Sequence, residues 1–170
     1  MKKIMIVDDN YLSAEGIEKN IDWETLNAEI IHVCYNGTSA IEAMKKEPAD
    51  LIISDIEMPD LDGISMSRQA LEINPMVKII LISAYDKFEY ARRALLLGAL
   101  DYIEKPLDYA YLIQKVKNAF ALMEKEQKNL QLLKQSRPLL TEKFFREITH
   151  LPSSEAAYRL KPYLKYLNLE

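Results

Sequence analysis

Short apolar runs recur along the first two thirds of the chain and alternate with segments in which apolar residues lie three and four positions apart. The runs have the length and the Ile, Val and Leu content of buried strands, whereas the intervening segments have the period of amphipathic helices. We predict strands at Ile4–Val7, Ile30–Cys34, Leu51–Ser54, Val77–Ile82 and Leu100–Ile103. We predict helices around Leu12–Ile17, Ile41–Met44, Ile64–Ile73 and Phe88–Leu97, with a fifth after Pro106.

Alternation of strands with helices predicts an α/β fold in which a parallel sheet is covered on both faces. The nearly continuous apolar strands agree with this, because both faces of such a sheet are buried. The pattern alone leaves the strand order open, although the flavodoxin-like order 2-1-3-4-5 is the common solution for five strands. Asn36 or Thr38 is expected to cap the second helix, and Gly98 stands where the fourth should stop.

The pattern changes after Pro106, where residues 107–135 form a long helical stretch without glycine or proline. Pro138 and Pro152 are expected to break the helical pattern, and Pro162 is expected to kink or divide its last part. We therefore predict an α/β domain over residues 1–122, followed by an extended helical tail. Within the tail, residues 123–137 are a helical linker, and residues 138–170 are a helical segment that begins a further region.

Composition limits the cellular compartments and the kinds of binding partner that are expected for this chain. The formal net charge is −4, so no overall basic excess suggests nucleic acid. Cys34 is the one cysteine, which excludes an intramolecular disulfide and is expected to be a small buried thiol. The apolar stretch near the N-terminus is too short for a signal sequence, and no stretch approaches the ~20 apolar residues that span a bilayer. We expect a cytoplasmic protein with no membrane partner.

Polar and charged residues follow four of the five predicted strands. Ligands bind beyond the carboxyl ends of the strands in open α/β sheets, so residues at these ends should share one rim. The set consists of Asp8 and Asp9 after the first strand, Asp55 after the third, Ser83 after the fourth and Lys105 after the fifth.

Three clustered carboxylates repel one another, and a site that holds them usually needs a cation. Hard oxygen ligands without a nearby histidine or second cysteine favour Mg²⁺, which pairs naturally with phosphate oxygens. A carboxylate can act as a nucleophile, and a lysine can act as a point charge on a phosphoryl group. The set therefore indicates phosphoryl transfer onto a carboxylate. Taken singly, each aspartate has the alternative role of turn residue or helix cap, and we assign Asp60 and Asp62 to a turn.

Four motifs, "IVDDN", "LIISDIEMPDLDGI", "ILISAY" and "GALDYIEKPL", occur in an order and spacing that resemble the receiver domains of two-component response regulators. The resemblance covers about residues 2–122. It implies that Asp55 is the phosphoacceptor. It also implies that Asp8 and Asp9 bind Mg²⁺ together with Asp55 and the backbone carbonyl of Glu57.

The same resemblance implies roles for residues near the fourth and fifth strands. Ser83 would bind a phosphoryl oxygen and Lys105 would pair with the phosphoryl group. Tyr102 would be the aromatic residue whose rotamer follows phosphorylation, although it has the alternative of a half-buried strand tyrosine. Pro106 would follow a cis peptide bond.

The phosphodonor is expected to be another protein, a histidine kinase. Neither His32, in the second strand, nor His150, at a helix end, is a credible donor within the chain. The chain would be a phosphoacceptor and not an enzyme, with at most slow self-dephosphorylation. The enzyme alternative is a phosphatase with an aspartyl nucleophile. Such a phosphatase would require a D-x-D motif after the first strand, where this chain has the adjacent aspartates of "VDDN".

The "IDWETL" and "RPLLTEKFFREI" stretches are similar to AraC-type response regulators, in which a helix-turn-helix pair follows the receiver and its linker. The sequence shows no such pair, so we expect a fragment whose DNA-binding output region is absent. The alternative is a stand-alone receiver with a helical interaction tail.

A weak heptad stripe runs through the predicted linker helix at Val116, Ala119, Met123, Glu126, Leu130, Leu133 and Arg137. The chain is expected to form a homodimer, either through this stripe or through the face formed by the fourth helix, the fifth strand and the fifth helix. The alternative for the stripe is a single amphipathic helix that lies on its own domain.

Overall fold

The computed structural model describes residues 1–84 and 100–148, with the backbone alone from residue 133 onward. The predicted helix at Phe88–Leu97, its stop at Gly98 and the tail beyond residue 148 lie outside the described residues. By contacts, the chain divides into two compact units, Met1–Ala121 and Leu122–Glu170. The predicted division of the tail at residue 137 stays a prediction.

Five parallel strands form one sheet in the order β2-β1-β3-β4-β5, which confirms the predicted α/β fold and its strand order. The strands are β1 (Lys2–Val7), β2 (Ala28–Cys34), β3 (Leu51–Asp55), β4 (Lys78–Ser83) and β5 (Asp101–Glu104). Each prediction found the strand and missed at least one of its ends by one or two residues. Most of the strand residues that were left out are polar, and they join a ladder through their backbone groups, which a pattern of apolar side chains does not report.

The helices within the described residues are α1 (Tyr11–Asn20), α2 (Gly37–Lys46), α3 (Gly63–Ile73) and α4 (Tyr109–Ile148). Each is directly preceded by a residue whose side-chain oxygen accepts backbone N–H groups of the first turn. These capping residues are Asn10, Asn36, Asp62 and Asp108. Of the two candidates for α2, the cap is therefore Asn36, and Thr38 lies inside the helix.

The predicted break at Pro138 is wrong, because α4 remains helical through that position to Ile148. A proline in a helix removes one hydrogen bond and costs about 3 kcal/mol, but it can bend a helix without ending it. Strong helix formers, including Leu, Gln, Glu and Lys, surround Pro138 in the sequence and favour continuation.

The inner strands of the sheet, β1, β3 and β4, are buried on both faces. Ile4 and Ile6 on one face of β1 and Met5 and Val7 on the other are all 0–1% exposed. Successive strand residues point to opposite faces, so burial of all four requires cover on both sides. In α4, Val116 and Ala119 are also fully buried. Among the described residues, no helix combines the length and apolar character needed to cross a bilayer.

Candidate functional site

The carboxyl ends of four strands carry the polar residues predicted from the sequence. Asp55 and Ser83 are the last residues of β3 and β4, and Asp8 and Lys105 directly follow β1 and β5. Because all these strands are parallel and adjacent, their ends lie at one edge of the sheet. The expected rim therefore exists, with β1 and β3 side by side at its centre.

Three aspartates converge at this edge. One carboxylate oxygen each of Asp8, Asp9 and Asp55 lies within 4.8 Å of the others. Asp8 is 1% exposed and Asp55 is 7% exposed, whereas Asp9 is exposed. Burial strengthens the repulsion between carboxylates, because less water screens their charges. This cluster therefore needs positive charge.

Lys105 supplies part of that charge. Its Nζ donates to Asp8 Oδ2 at 3.0 Å and to Asp55 Oδ2 at 2.5 Å. Burial alone would lower the pKa of Lys105, but its hydrogen bonds to Asp55 and Asp8 hold that pKa above its ordinary value. The ammonium group stays charged between the two buried carboxylates. The peptide bond from Lys105 to Pro106 is cis.

Backbone amides hold the other oxygens of the two buried carboxylates. Asp8 Oδ1 accepts the N–H of Asn10 at 2.9 Å, and Asp55 Oδ1 accepts the N–H of Glu57 at 3.2 Å. Burial raises the pKa of Asp8, which the Asn10 N–H and Lys105 oppose. Each carboxylate thus has one oxygen tied to its own loop and one oxygen turned toward Lys105.

The backbone around Asp55 is held from several sides, a feature that sequence reasoning missed. Ser54 Oγ donates to the carbonyl of Asp55 at 2.7 Å, and the N–H of Ile56 donates to the carbonyl of Ile82 at 2.9 Å. Gly63 donates its N–H to the carbonyl of Ile56 at 2.8 Å. The "DG" at positions 62 and 63 was the available signal, but by itself it indicates only a turn or a helix start.

Three further residues from the sequence analysis lie near the strand ends. Ser83 is fully buried, and Tyr102 is half-buried and packs against the hydrophobic core. The side chain of Glu57 is exposed. The phosphoryl contact of Ser83, the rotamer switch of Tyr102 and the metal contact of the Glu57 carbonyl stay predictions.

The two aspartates assigned to the turn lie in the loop between β3 and α3. Asp62 caps α3 and accepts the N–H of Ser65 at 2.7 Å. Asp60 adopts a left-handed backbone with φ of 68°. Aspartate tolerates this conformation better than most residues.

A cleft of about 350 Å³ opens beside Asp8 and Lys105. Its walls come from α1, from the loop between β5 and α4 and from the first residue of α4, and they include Ser13, Pro106 and Tyr109. Of the three clustered aspartates, Asp8 lines this cleft.

The donor set fits a hard divalent cation. Asp8, Asp9 and Asp55 offer carboxylate oxygens alone, with no imidazole or thiolate among the grouped ligands. Oxygen donors of this kind suit Mg²⁺, which retains several waters and pairs with phosphate. With Lys105 alongside, the arrangement can bind a phosphoryl group and present the Asp55 carboxylate to it.

Comparison with known proteins agrees with this chemistry. The family model of the response regulator receiver domain matches residues 4–117. The chain is 29% identical to the uncharacterized transcriptional regulatory protein YesN of Bacillus subtilis (strain 168), over 74% of this chain and 34% of YesN. The chain thus spans about a third of the length of this curated relative.

Two solved structures extend the comparison. The two component transcriptional regulator AraC from Clostridium phytofermentans is 30% identical with a TM-score of 0.67, over 76% of this chain and 99% of that one. A chain of the CheX–CheY–BeF3–Mg²⁺ complex from Borrelia burgdorferi is 29% identical with a TM-score of 0.64, over 70% of this chain and 89% of that one.

Proposed function

This chain belongs to the response regulator receiver domain family, and on that premise we propose that Asp55 accepts a phosphoryl group from a histidine kinase. The observation that carries the proposal is the position of the Asp55 carboxylate. It lies 2.5 Å from the Lys105 ammonium and within 4.8 Å of the carboxylates of Asp8 and Asp9. One nucleophile therefore stands between a cation for the phosphoryl group and a set of ligands for a metal.

The proposed reaction conserves atoms and electrons without a redox partner. A carboxylate oxygen of Asp55 attacks the phosphorus of the kinase phosphohistidine and forms a P–O bond. The P–N bond breaks, and its electron pair stays on the imidazole nitrogen, which takes up a proton. The product on the receiver is an acyl phosphate.

Residues of this chain prepare that attack. The N–H of Glu57 holds one oxygen of Asp55, so the other is directed toward Lys105. When the phosphoryl group arrives, the Lys105 ammonium can exchange a carboxylate partner for a phosphoryl oxygen without leaving the rim. We assign a second phosphoryl contact to the hydroxyl of Ser83.

We assign a Mg²⁺ site to Asp8, Asp9, Asp55 and the backbone carbonyl of Glu57. Its support is the oxygen-only donor set and the similar chain solved in a complex with BeF3 and Mg²⁺. When bound, Mg²⁺ would neutralise negative charge on the carboxylates and on the phosphoryl oxygens.

Phosphorylation would act as a switch through charge. It adds about −1.5 to −2 charge at the rim. Ser83 and Lys105 would move toward the new group, and Tyr102 would respond because it lies in β5, one strand from Ser83. The chain would be a phosphoacceptor that carries a signal, and not an enzyme with turnover on a free substrate.

We further propose that the signal controls transcription through a DNA-binding region outside this chain. The support is the naming of both YesN and the Clostridium protein as transcriptional regulators. Dimer formation, through α4 or through the face that includes β5, would bring two output regions together. Val116, Ala119 and Met123 are buried, so the part of the stripe open to a second chain starts after Met123, and it includes the 45% exposed Leu130.

The chemistry can be tested directly. The protein is incubated with Mg²⁺ and acetyl phosphate, and the phosphorylated residue is identified by mass spectrometry. We expect one phosphoryl group on Asp55 that depends on Mg²⁺, none in Asp55→Asn and normal labelling in Asp62→Asn, because Asp62 is a helix cap. Undiminished labelling of Asp55→Asn at another residue would refute the assignment.

A further inference from the structure

Gly63, the first residue of α3, packs directly against the peptide unit that carries the phosphoacceptor. A Cβ atom built on Gly63 would overlap the carbonyl oxygen of Asp55. It would also come within 3.0 Å of the Asp55 carbonyl carbon and of the Ile56 Cα. All three atoms belong to the backbone, so a rotamer change cannot relieve the overlap. A side chain at position 63 must displace either α3 or the Asp55–Ile56 peptide.

The peptide that Gly63 touches has little freedom to move. On the sheet side, the N–H of Ile56 is bonded to the carbonyl of Ile82 at 2.9 Å. The carbonyl of Asp55 accepts the buried hydroxyl of Ser54 at 2.7 Å. Gly63 packs on the remaining side, and its own N–H holds the next peptide unit through the carbonyl of Ile56 at 2.8 Å.

The same short segment carries two parts of the proposed site. The side chain of Asp55 provides the nucleophile, and two residues later the carbonyl of Glu57 provides the proposed metal contact. The two are linked, because the N–H of Glu57 holds Asp55 Oδ1 at 3.2 Å. A displacement of the Asp55–Ile56 peptide would therefore move both relative to Lys105.

We propose that Gly63 is a positioning residue for phosphoryl transfer, a role that rests on the proposed function of Asp55. Its missing side chain lets α3 seat against the Asp55–Ile56 peptide and hold the nucleophile in line with Lys105 and the metal ligands. Misplacement of a reacting group by about 1 Å can cost about a hundredfold in rate. A side chain at position 63 would therefore slow phosphoryl transfer as well as disturb the packing of α3.

Gly37 provides a matched control for ordinary packing. It is the first residue of α2, and a Cβ atom on it would overlap the carbonyl oxygen of Leu61 and lie 2.9 Å from the Leu61 Cβ. Gly37→Ala and Gly63→Ala therefore make the same chemical change at the same helical position, each against a backbone carbonyl. Only Gly63 contacts the peptide of the phosphoacceptor.

The experiment compares the parent protein, Gly63→Ala and Gly37→Ala. The rate constant for labelling is measured with saturating acetyl phosphate over a series of Mg²⁺ concentrations, and urea unfolding gives the folded fraction of each protein. Mg²⁺ affinity is measured separately by calorimetry. For each folded molecule, we expect Gly63→Ala to lower the labelling rate at saturating Mg²⁺ by about tenfold to a hundredfold. We expect its Mg²⁺ affinity to fall several-fold, while Gly37→Ala keeps both quantities within about twofold of the parent.

Two results would overturn the proposal: a folded Gly63→Ala protein with the parent rate and Mg²⁺ affinity, or equal losses in both glycine variants. If Gly63→Ala does not fold, Ser54→Ala becomes the deciding variant, because it removes a second restraint on the Asp55 carbonyl without any overlap. A slower labelling rate with intact folding would then support positioning through this peptide, and a parent rate would refute it. Absence of labelling in the parent would defeat the proposed function and with it the role of Gly63 in phosphoryl transfer, whereas the Mg²⁺ titrations would show separately whether Gly63 positions the metal ligands.

Discussion

Substitution of Asp8 by asparagine should stabilise the metal-free protein while it weakens the metal site. Asp8 is 1% exposed and stands beside two other carboxylates, with Lys105 as its cationic partner. Asparagine has nearly the same shape, and its amide oxygen can still accept the N–H of Asn10. The substitution therefore removes charge and changes little else.

The expected magnitude follows from the distances. The three carboxylate oxygens lie within 4.8 Å of one another; with an effective dielectric constant of about 20, two like charges at that limit repel by ~3.5 kcal/mol, so two neighbours cost Asp8 ~7 kcal/mol. The attraction to Lys105 at 3.0 Å returns ~5.5 kcal/mol on the same scale. The net repulsion is ~1.5 kcal/mol, and solvent screening of the exposed Asp9 reduces it. We expect Asp8→Asn to raise the free energy of unfolding by about 1 kcal/mol without metal.

Urea unfolding in EDTA and in excess Mg²⁺ measures both effects. At a hundred times its Kd, Mg²⁺ should stabilise the parent by about 2.7 kcal/mol and Asp8→Asn far less at the same concentration. Asp50→Asn is the control, since Asp50 also accepts a backbone N–H, from Lys3 at 2.9 Å, but is not among the three clustered carboxylates. Loss of about 3–5 kcal/mol in EDTA would refute the reasoning, because that is the usual cost of removing one partner of a buried ion pair.

Two further predictions concern other parts of the chain. Burial raises the pKa of the Cys34 thiol, so iodoacetamide should label the native protein slowly at pH 8 and much faster in urea; equal rates would show that the thiol is accessible. If α4 pairs two chains along the proposed stripe, Leu130→Asp should weaken dimerisation by about tenfold or more. Leu132 is 61% exposed and lies off the stripe, so Leu132→Asp should leave dimerisation unchanged. Analytical sedimentation measures the dimerisation of both variants and of the parent. A parent that stays monomeric with and without phosphorylation would exclude this dimer.

Local patterns in the sequence determined the elements of the sheet and the chemistry of its rim. Apolar runs of strand length located all five strands, because burial on both faces demands apolar side chains at nearly every position. Asp8, Asp55 and Lys105 could be assigned to one edge because parallel strands end together. Their side-chain types then limited the chemistry to a hard cation and a phosphoryl group.

The tertiary structure decided what the local pattern could not. The pattern marks β1, β3 and β4 as strands buried on both faces but does not give their order, which depends on how the helices pack against the sheet. The continuation of α4 through Pro138 also escaped the pattern, because the cost of one lost hydrogen bond competes with the helix-forming residues around it.

The arrangement around Asp55 shows the same division within the site. The sequence by itself determined that an aspartate ends β3 and that a lysine follows β5. Only the fold brings Lys105 to both Asp8 and Asp55, across separations of 97 and 50 residues. Only the fold sets Gly63 against the carbonyl of Asp55. Such contacts depend on distances between elements that are set by side-chain packing across the whole core, whereas periodicity reports burial one element at a time.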